Sequence, residues 1–308
     1  MRNKIITVFG GSGFLGRSVV QRLAQQGARV RVAVRNTDQA NHLRVYGDVG
    51  QVMPLQICIG DTQAIEAVCK GSHGVINLMG ILYEKGTSTF EKIHVTAIED
   101  IAKACAKHSV KRLIHISALG ANLKSKSNYA RTKALGEKKG CVAFPDLTVI
   151  RPGLLFGAGD DFFNRFSDLA KIVPFLTLFD KGNTRLQPLY VGDTAQGIVN
   201  ALMDPTTKGK LYELGGEQIL TFKELMVLML KFMGRPKPIM SLPPFIGTGL
   251  SYFLQFMPKP LVTPDQLRFL KSDAVVGKKV KKLKDLGIIP KHLEAIVPLY
   301  LESYKPRF

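Results

Sequence analysis

The chain has no tryptophan and only four cysteines among its 308 residues. No two of these cysteines form a C-x-x-C pair and the histidines show no ligand spacing, so we expect neither a disulfide framework nor a bound metal. No apolar run reaches the roughly 18 residues that are needed to span a bilayer. A hydrophobic content of 45% excludes a disordered chain. The composition therefore predicts a folded protein from a reducing compartment.

Acidic residues are also scarce, with 24 against 43 lysines and arginines, which gives a net charge of +19. An excess of this size indicates an anionic partner, such as a phosphorylated ligand, an acidic protein face or an acidic lipid. Nucleic acid would suit the charge too, but no recognition helix or aromatic-rich binding strand is apparent, and we expect no nucleic-acid partner. The apolar ITVFGG stretch follows Met1 closely and leaves no room for a signal or transit peptide, so we expect a cytoplasmic protein.

Short apolar runs and longer helical patterns alternate through the first half of the chain. The predicted strands are 6–10, 29–34, 52–57, 74–79, 112–118 and 147–152, and the predicted helices between them are 14–26, 36–46, 62–70, 91–108 and 127–142. This alternation is typical of βαβ units and indicates an α/β fold with a doubly wound parallel sheet, the Rossmann fold. We expect a dinucleotide-binding domain over residues 1–150 and a smaller mixed α/β lobe over residues 151–308.

A glycine-rich turn, GGSGFLG, directly follows the first predicted strand and opens the first predicted helix. It places Gly10, Gly13 and Gly16 at G-x-x-G-x-x-G spacing. Glycines suit this position because the turn needs unusual dihedrals and a pyrophosphate must approach the main chain closely, facing the helix N-terminus. In this strand–turn–helix setting the motif predicts a dinucleotide site.

The second predicted strand ends at Arg35, where a site that prefers NAD carries an acidic residue, so the sequence favours NADP(H). The alternative is that Arg35 is a solvated loop residue with no ligand role. Asp61 follows the third strand and suits either the adenine amino group or a helix N-cap. The residues that we expect to contact the nucleotide are Gly10, Gly13, Phe14, Leu15, Gly16, Arg35, Asp61, Asn77, Gly80, Tyr129, Lys133 and Pro152.

Three residues form a candidate reaction centre. Ser117 ends the fifth predicted strand, and Tyr129 and Lys133 follow in YARTK, whose spacing puts both side chains on one helix face. A lysine ammonium beside the phenol is expected to lower the pKa of the tyrosine, so that the phenol can exchange a proton with a substrate. The three residues can act as catalysts, or they can grip the nicotinamide ribose without catalysis.

The glycine turn and the Ser117, Tyr129 and Lys133 pattern resemble the short-chain dehydrogenase/reductase superfamily, in its extended, epimerase-like branch. Four later blocks resemble the atypical subfamily of the nucleotide-binding accessory subunit of respiratory complex I. The blocks are IRPGLLFGAGDDFFNRF (150–166), LQPLYVGDTAQGI (186–198), LYELGGEQILTFKELM (211–226) and TPDQLRFLKSD (263–273). The resemblance spans nearly the whole chain. It implies tight NADPH binding near the membrane, at the edge of the peripheral arm, and a stabilising or assembly role more than catalysis. His94 departs from the superfamily pattern, because many relatives carry asparagine there.

The C-terminal part combines apolar and basic features. Apolar residues follow near-helical spacing in PPFIGTGLSYFLQFMPKP (243–260), and the lysine-rich segment GKKVKKLKDLG (277–287) comes after them. Residues 243–284 could therefore face a membrane surface or a groove on a partner. Alternatively, the apolar face closes the lobe and the lysines are solvated.

Two functions and a weaker third fit the sequence. The first is an NADP(H)-binding accessory or assembly subunit of complex I, in contact with peripheral-arm subunits on the cytoplasmic face of a bacterial inner membrane. The second is an active NADP-dependent reductase or epimerase acting on a small molecule such as an isoprenoid quinone precursor, with loop 153–166 in the substrate pocket. The third is a redox sensor whose partner binding depends on the reduction state of NADP.

Overall fold

The strands of the protein are short and lie mostly in one sheet. The structure is a computed structural model that describes residues 1–242, 260 and 262–306. In chain order the strands are β1 (Ile5–Phe9), β2 (Arg29–Val34), β3 (Val52–Gln56), β4 (Gly74–Asn77), β5 (Arg112–Ile116), β6 (Thr148–Pro152), β7 (Leu155–Phe156), β8 (Leu176–Phe179), β9 (Arg185–Leu186), β10 (Leu189–Tyr190), β11 (Leu211–Leu214), β12 (Leu220–Thr221) and β13 (Ile239–Leu242).

The helices flank that sheet and fill the C-terminal part. They are α1 (Phe14–Gln25), α2 (Thr62–Cys69), α3 (Ala97–Lys107), α4 (Asn128–Ala143), α5 (Phe163–Ile172), α6 (Val191–Met203), α7 (Phe222–Phe232), α8 (Pro264–Phe269) and α9 (Leu293–Leu301). No helix in the described ranges is long and apolar enough to cross a membrane.

The central sheet has seven strands in the order β11-β6-β5-β4-β1-β2-β3, and every neighbouring pair is parallel. The predicted doubly wound parallel sheet is confirmed, with strand bounds within two residues of those expected. β11 begins about 60 residues after β6 ends, and it pairs with β6 to form one edge of the sheet. The remaining strands form three two-stranded ribbons, β7 with β10, β8 with β13 and β9 with β12.

Apolar side chains cover both faces of the sheet, because a parallel sheet is buried on both sides. In β5, Ile114 and Ile116 pack on the side of α1 and α6, whereas Leu113 packs on the side of α2, α3 and α4. A third core holds α5, α7 and α9 together. Since α6 and β11 come from the second half of the chain, that half completes the nucleotide-binding layer as well as building its own lobe.

Two predicted helices have another form. Residues Asp38–Tyr46 form a 3-10 helix, and the predicted helix 91–108 opens with a π-helical turn, Glu91–Thr96, before α3 begins. That turn brings the backbone oxygen of His94 against Gly136 of α4, where an added Cβ would lie 1.8 Å from it. The tight approach of the two helices is therefore possible only for glycine at 136. The apolar stripe predicted at 243–260 lies, apart from residue 260, outside the described residues.

Candidate nucleotide site

The residues predicted for the nucleotide site gather at one edge of the sheet. Gly10 directly follows β1, Arg35 follows β2, Asn77 ends β4, Ser117 follows β5 and Pro152 ends β6. Because all five strands are parallel, these positions lie along the same carboxyl edge, where open α/β sheets bind their ligands.

The three glycines of the turn differ in their backbone dihedrals and in the space around them. Gly10 has a left-handed backbone, with φ of +76°. Gly16 is crowded, because an added Cβ would lie 2.3 Å from the backbone oxygen of Gly10. Gly13 has ordinary extended dihedrals (φ −73°, ψ 177°), and of the described atoms a Cβ there would meet only that same oxygen, at 3.3 Å. The fold therefore requires Gly10 and Gly16, whereas little within the protein requires a glycine at 13.

Open space beside Gly13 suits a phosphate group. Gly13 is the N-cap of α1 and no side chain caps that helix. The first-turn N–H groups of such a helix, together with the positive end of its dipole, attract anions. Phe14 and Leu15, the next two residues, are half-buried at the same turn. The residues present fit a dinucleotide whose pyrophosphate approaches the main chain at Gly13.

Two further predicted contacts lie on the surface of this edge. Arg35 is exposed, and its Nη1 lies 3.5 Å from Ser88 Oγ. Asp61 caps α2, accepting a 3.0 Å hydrogen bond from the backbone N–H of Ala64. Of the two roles considered for Asp61, the N-cap is the one that the structure shows. Arg35 stays a predicted contact to a ribose phosphate.

Buried polar side chains lie beneath the segment that follows β4. The amide of Asn77 donates to Nδ1 of His115 (3.2 Å), and Nε2 of His94 accepts from the backbone N–H of Ile81 (3.1 Å). Because Nε2 of His94 accepts a hydrogen bond, it carries no proton, and the proton of the neutral ring lies on Nδ1. Nδ1 donates to Thr132 Oγ1 at 3.1 Å. His94 thereby fixes residues 79–81 against α4. Gly80 is exposed there, and a Cβ on it would lie 3.1 Å from Lys133 Nζ.

The predicted reaction centre is partly assembled. Nζ of Lys133 donates to the backbone oxygen of Ile116 (3.2 Å), which places the lysine beside Ser117. Ser117 is buried, and its hydroxyl has no hydrogen-bond partner among the residues that the structure describes. Pro152 is buried nearby and its oxygen accepts from Leu119 N–H at 3.0 Å. An unpaired buried hydroxyl favours a ligand group at this point, because an unmade hydrogen bond there is costly.

Tyr129 does not have the lowered pKa that the sequence suggested. Burial raises its pKa to about 12, and the ring packs edge-on against Phe90, His94 and Phe269. Burial also lowers the pKa of Lys133 to about 8. The lysine points its donors at backbone oxygens. The expected activation of the phenol by the lysine is therefore wrong for the protein without nucleotide.

Loop 153–166 is largely packed. Asp160 is buried and accepts from the hydroxyl of Tyr300 of α9 (2.6 Å) and from the N–H of Gly157 (3.1 Å). Phe162 and Phe163 stack edge-on, and Phe162 also packs edge-on against Phe222 of α7. The GDDFFNRF block thus holds α5, α7 and α9 together.

Acid should destabilise the protein through its two buried histidines. Burial lowers the pKa of His94 to about 2 and that of His115 to about 3, with the charge of Lys133 acting in the same direction. The unfolded chain takes up both protons as the pH falls below about 6.5, and the folded chain does not. Stability is therefore nearly full above about pH 7.5 and falls by about 2.5 kcal/mol on going from about pH 7 to about pH 5.5.

Urea unfolding at these two pH values measures that loss, with His94→Asn as the comparison variant. The variant should lose about half as much stability between the two pH values, because one of the two sites is gone. Equal losses in both proteins would contradict the assignment of this pH dependence to His94.

Sequence reasoning missed two features of the site. In the sequence His94 stands out only as a departure from a pattern, although in the structure it fixes the segment at Ile81. Asp265, from α8, accepts hydrogen bonds from the first residues of α4. The sequence around Asp265, T-P-D-Q, indicates the start of a helix. It does not indicate that Asp265 contacts α4.

Comparison with known proteins agrees with this geometry. Residues 10–144 match a family described as NAD(P)H-binding. The chain is 36% identical to the mitochondrial NADH dehydrogenase (ubiquinone) 1 alpha subcomplex subunit 9 of Arabidopsis thaliana, over 98% of this chain and 78% of the relative. It is 32% identical to the mitochondrial NADH-ubiquinone oxidoreductase 40 kDa subunit of Neurospora crassa, over 97% of this chain and 79% of the relative.

A solved structure supports the fold. An NADPH-dependent quinone oxidoreductase from Escherichia coli, complexed with NADPH, matches with a TM-score of 0.75, covering 97% of this chain and 99% of that chain. At 18% identity this likeness concerns the fold alone.

The relatives correct one expectation. The predicted location, cytoplasmic and on the inner face of a bacterial inner membrane, is wrong, because the curated relatives that match nearly the whole chain are named as mitochondrial proteins. The apolar stretch that follows Met1 therefore does not indicate the compartment in which the protein works.

Proposed function

The chain belongs to the same family as the alpha subcomplex subunit 9 proteins of NADH dehydrogenase, and from this membership we propose that it is an NADP(H)-binding accessory subunit of respiratory complex I. The observation that carries the proposal is the 36% identity over 98% of the chain. That similarity extends well past residue 144, where the general NAD(P)H-binding match ends. It therefore includes the C-terminal lobe, which a shared nucleotide fold alone would not explain.

The nucleotide in this proposal has mainly a structural role. Residues Gly10, Gly13 and Gly16 would hold the pyrophosphate, and Lys133 and Tyr129 would hold the nicotinamide ribose. The bound nucleotide can supply hydride chemistry, but Tyr129 is half-buried against aromatic rings and its pKa is raised to about 12, which makes it a poor proton donor to a substrate. A ligand bound only by the folded state stabilises that state by mass action.

NADP(H) is proposed over NAD(H) because of the residue that ends β2. Arg35 is exposed at that position and offers a guanidinium to a 2′-phosphate, whereas a carboxylate there would suit a free 2′-hydroxyl. Calorimetric titration with NADPH and with NADH tests this preference. Equal affinities for the two nucleotides would remove it.

The basic surface suits an anionic neighbour within the complex. Lys278, Lys279, Lys281 and Lys284 are exposed, while Leu283 and Leu286 between and beside them are buried against the core. The leucines anchor the segment and leave the lysines outside. We propose that this cluster faces an acidic surface of peripheral-arm subunits or anionic lipid headgroups.

Co-migration tests the accessory role. Respiratory membranes carrying a tagged copy of the protein are extracted with mild detergent and separated on a native gel, and the proteins that travel with the tag are identified. We expect subunits of complex I in the same band. If the tagged protein runs alone, the accessory role is excluded.

The alternative, an active NADP-dependent reductase or epimerase, is favoured by one observation: the buried hydroxyl of Ser117 lies beside Lys133 and is unpaired within residues 1–242, 260 and 262–306. Tyr129→Phe separates the two functions, because it removes the phenol hydroxyl and keeps the ring contacts. An accessory subunit should keep its nucleotide affinity within about threefold and its place in the complex. A catalyst should keep its affinity and lose turnover by about 100-fold or more in an NADPH oxidation assay.

A further inference from the structure

The first turn of α4, the helix that carries Tyr129 and Lys133, is hydrogen-bonded to a carboxylate from the C-terminal part of the chain. Asp265 accepts hydrogen bonds from the backbone N–H of Asn128 (2.7 Å), the N–H of Tyr129 (2.9 Å) and the hydroxyl of Ser127 (2.9 Å). Ser127 is itself the N-cap of α4 and is fully buried. A carboxylate at a helix N-terminus satisfies unpaired donors and favours the positive end of the dipole. Asp265 therefore fixes the first turn of α4.

Residues 263–270, which we call the latch, make further contacts with the nucleotide domain. The ring of Phe269 packs edge-on against Tyr129, with centroids 5.5 Å apart, and it covers Gly120, where an added Cβ would lie 3.1 Å from a ring carbon. The amide of Gln266 lies 3.4 Å from the backbone oxygen of Leu82. Phe269 thus lies between the loop after Ser117 and the ring of Tyr129.

The latch is capped at its start, and its other end packs on the C-terminal lobe. Thr263 and Gln266 form a reciprocal capping box, and Pro264 occupies the first turn. Phe269 and Leu270 pack against the core that unites α5, α7 and α9. The hydroxyl of Thr184, just before β9, donates to the backbone oxygen of Leu270. One short segment therefore contacts both the first turn of α4 and the C-terminal core.

We propose that the latch couples nucleotide binding to the C-terminal lobe, and that Asp265 is a positioning residue of the nucleotide site. This inference rests on the proposed function, because it requires that Tyr129 and Lys133 hold the nicotinamide ribose. Fixing the first turn of α4 places both side chains before the nucleotide arrives. A bound nucleotide then holds α4 in place, and α4 in turn holds the latch. The coupling is reciprocal, so a change at the latch alters nucleotide affinity.

Asp265→Asn tests the coupling, because an amide has one acceptor oxygen for three donors. The matched control is Asp204→Asn. Asp204 likewise accepts from a backbone N–H and a hydroxyl, both of Thr206 at 2.8 Å, but it lies after α6, at the opposite edge of the sheet. The Kd for NADPH should rise about tenfold in Asp265→Asn and stay within about twofold in the control.

Hydrogen exchange distinguishes coupling from simple stabilisation. In the wild-type protein NADPH should slow amide exchange both in residues 128–133 and in the latch. In Asp265→Asn the nucleotide should no longer protect the latch, even where the variant remains folded. If Asp265→Asn does not fold, Phe269→Leu carries the same test, since it keeps an apolar side chain and loses the ring contact with Tyr129.

Two results would overturn the proposal in different ways. If the wild-type protein binds NADPH and Asp265→Asn behaves like Asp204→Asn in both measurements, the latch is only structural and the proposed function stands. If the wild-type protein does not bind NADPH, the nucleotide role fails and the coupling fails with it.

Discussion

Gly13→Val is expected to abolish NADPH binding while the protein stays folded. The backbone at Gly13 is extended and acceptable to any residue, and a Cβ there meets only the oxygen of Gly10, at 3.3 Å, a contact that a small shift relieves. The valine side chain would fill the space where a pyrophosphate approaches the main chain. We expect the Kd to rise at least about 100-fold, equivalent to about 2.7 kcal/mol.

Thermal unfolding with and without NADPH measures this effect. Wild-type protein should be stabilised by nucleotide at about 100 times its Kd, and Gly13→Val should show no shift while unfolding near the temperature of nucleotide-free wild type. Gly16→Val is the contrasting variant, because its Cβ would lie 2.3 Å from the oxygen of Gly10 and 2.6 Å from two atoms of Gly11. It should unfold at a lower temperature even without nucleotide. If Gly13→Val binds NADPH normally, the turn is not the pyrophosphate site.

Gly136→Ala is expected to cost the fold about 4 kcal/mol or more, an unusually large effect for one methyl group. Its Cβ would lie 1.8 Å from the backbone oxygen of His94, and neither helix can move without disturbing the core between them. Gly140→Ala, one turn later on the same helix, is the control. Among the described residues its nearest neighbours would be side-chain atoms, Leu147 Cδ2 at 2.9 Å, Ile98 Cγ1 at 3.0 Å and Ile98 Cδ1 at 3.7 Å, with no backbone atom as close.

Buried side chains can shift by a few tenths of an ångström, which a backbone oxygen held inside a helix cannot do, although overpacking still costs about 1–3 kcal/mol. Alanine gains about 1 kcal/mol over glycine in helix propensity, so Gly140→Ala should cost no more than about 2 kcal/mol. Urea unfolding of both variants measures the difference. Similar costs at 136 and 140 would show that α4 can shift away from the π-helical turn, against the rigid approach that the structure shows.

The nucleotide edge of the sheet could be predicted because its requirements are local. A glycine after β1, an apolar strand and a helix of suitable length are all visible within about 20 residues, and parallel strands bring their carboxyl ends to one edge. The Y-x-x-x-K spacing likewise fixed Tyr129 and Lys133 on one face of α4. What the spacing could not give was the electrostatic environment, since the raised pKa of Tyr129 comes from burial by distant rings.

Features made by distant residues could not be predicted. Asp265 contacts Tyr129 across 136 residues of sequence, and its own neighbourhood indicates only a carboxylate in the first turn of a short helix. The π-helical turn at Glu91–Thr96 depends on the glycine that faces it from α4. Residues 153–166 suggested a pocket because they combine glycine with phenylalanine, and the packing of Phe162 and Phe163 became visible only with α7 in place.

The long separation of β6 and β11 in the sequence matters during protein synthesis. β6 ends at residue 152, and the strand that covers its outer edge begins only at residue 211. At about 5–20 residues per second, a ribosome needs roughly 3–12 seconds to add the missing segment. Throughout that interval the nascent sheet presents the backbone of β6 as an open edge, the kind that pairs with other chains. Synthesis pauses between these two strands would lengthen that exposure and increase aggregation of the unfinished chain.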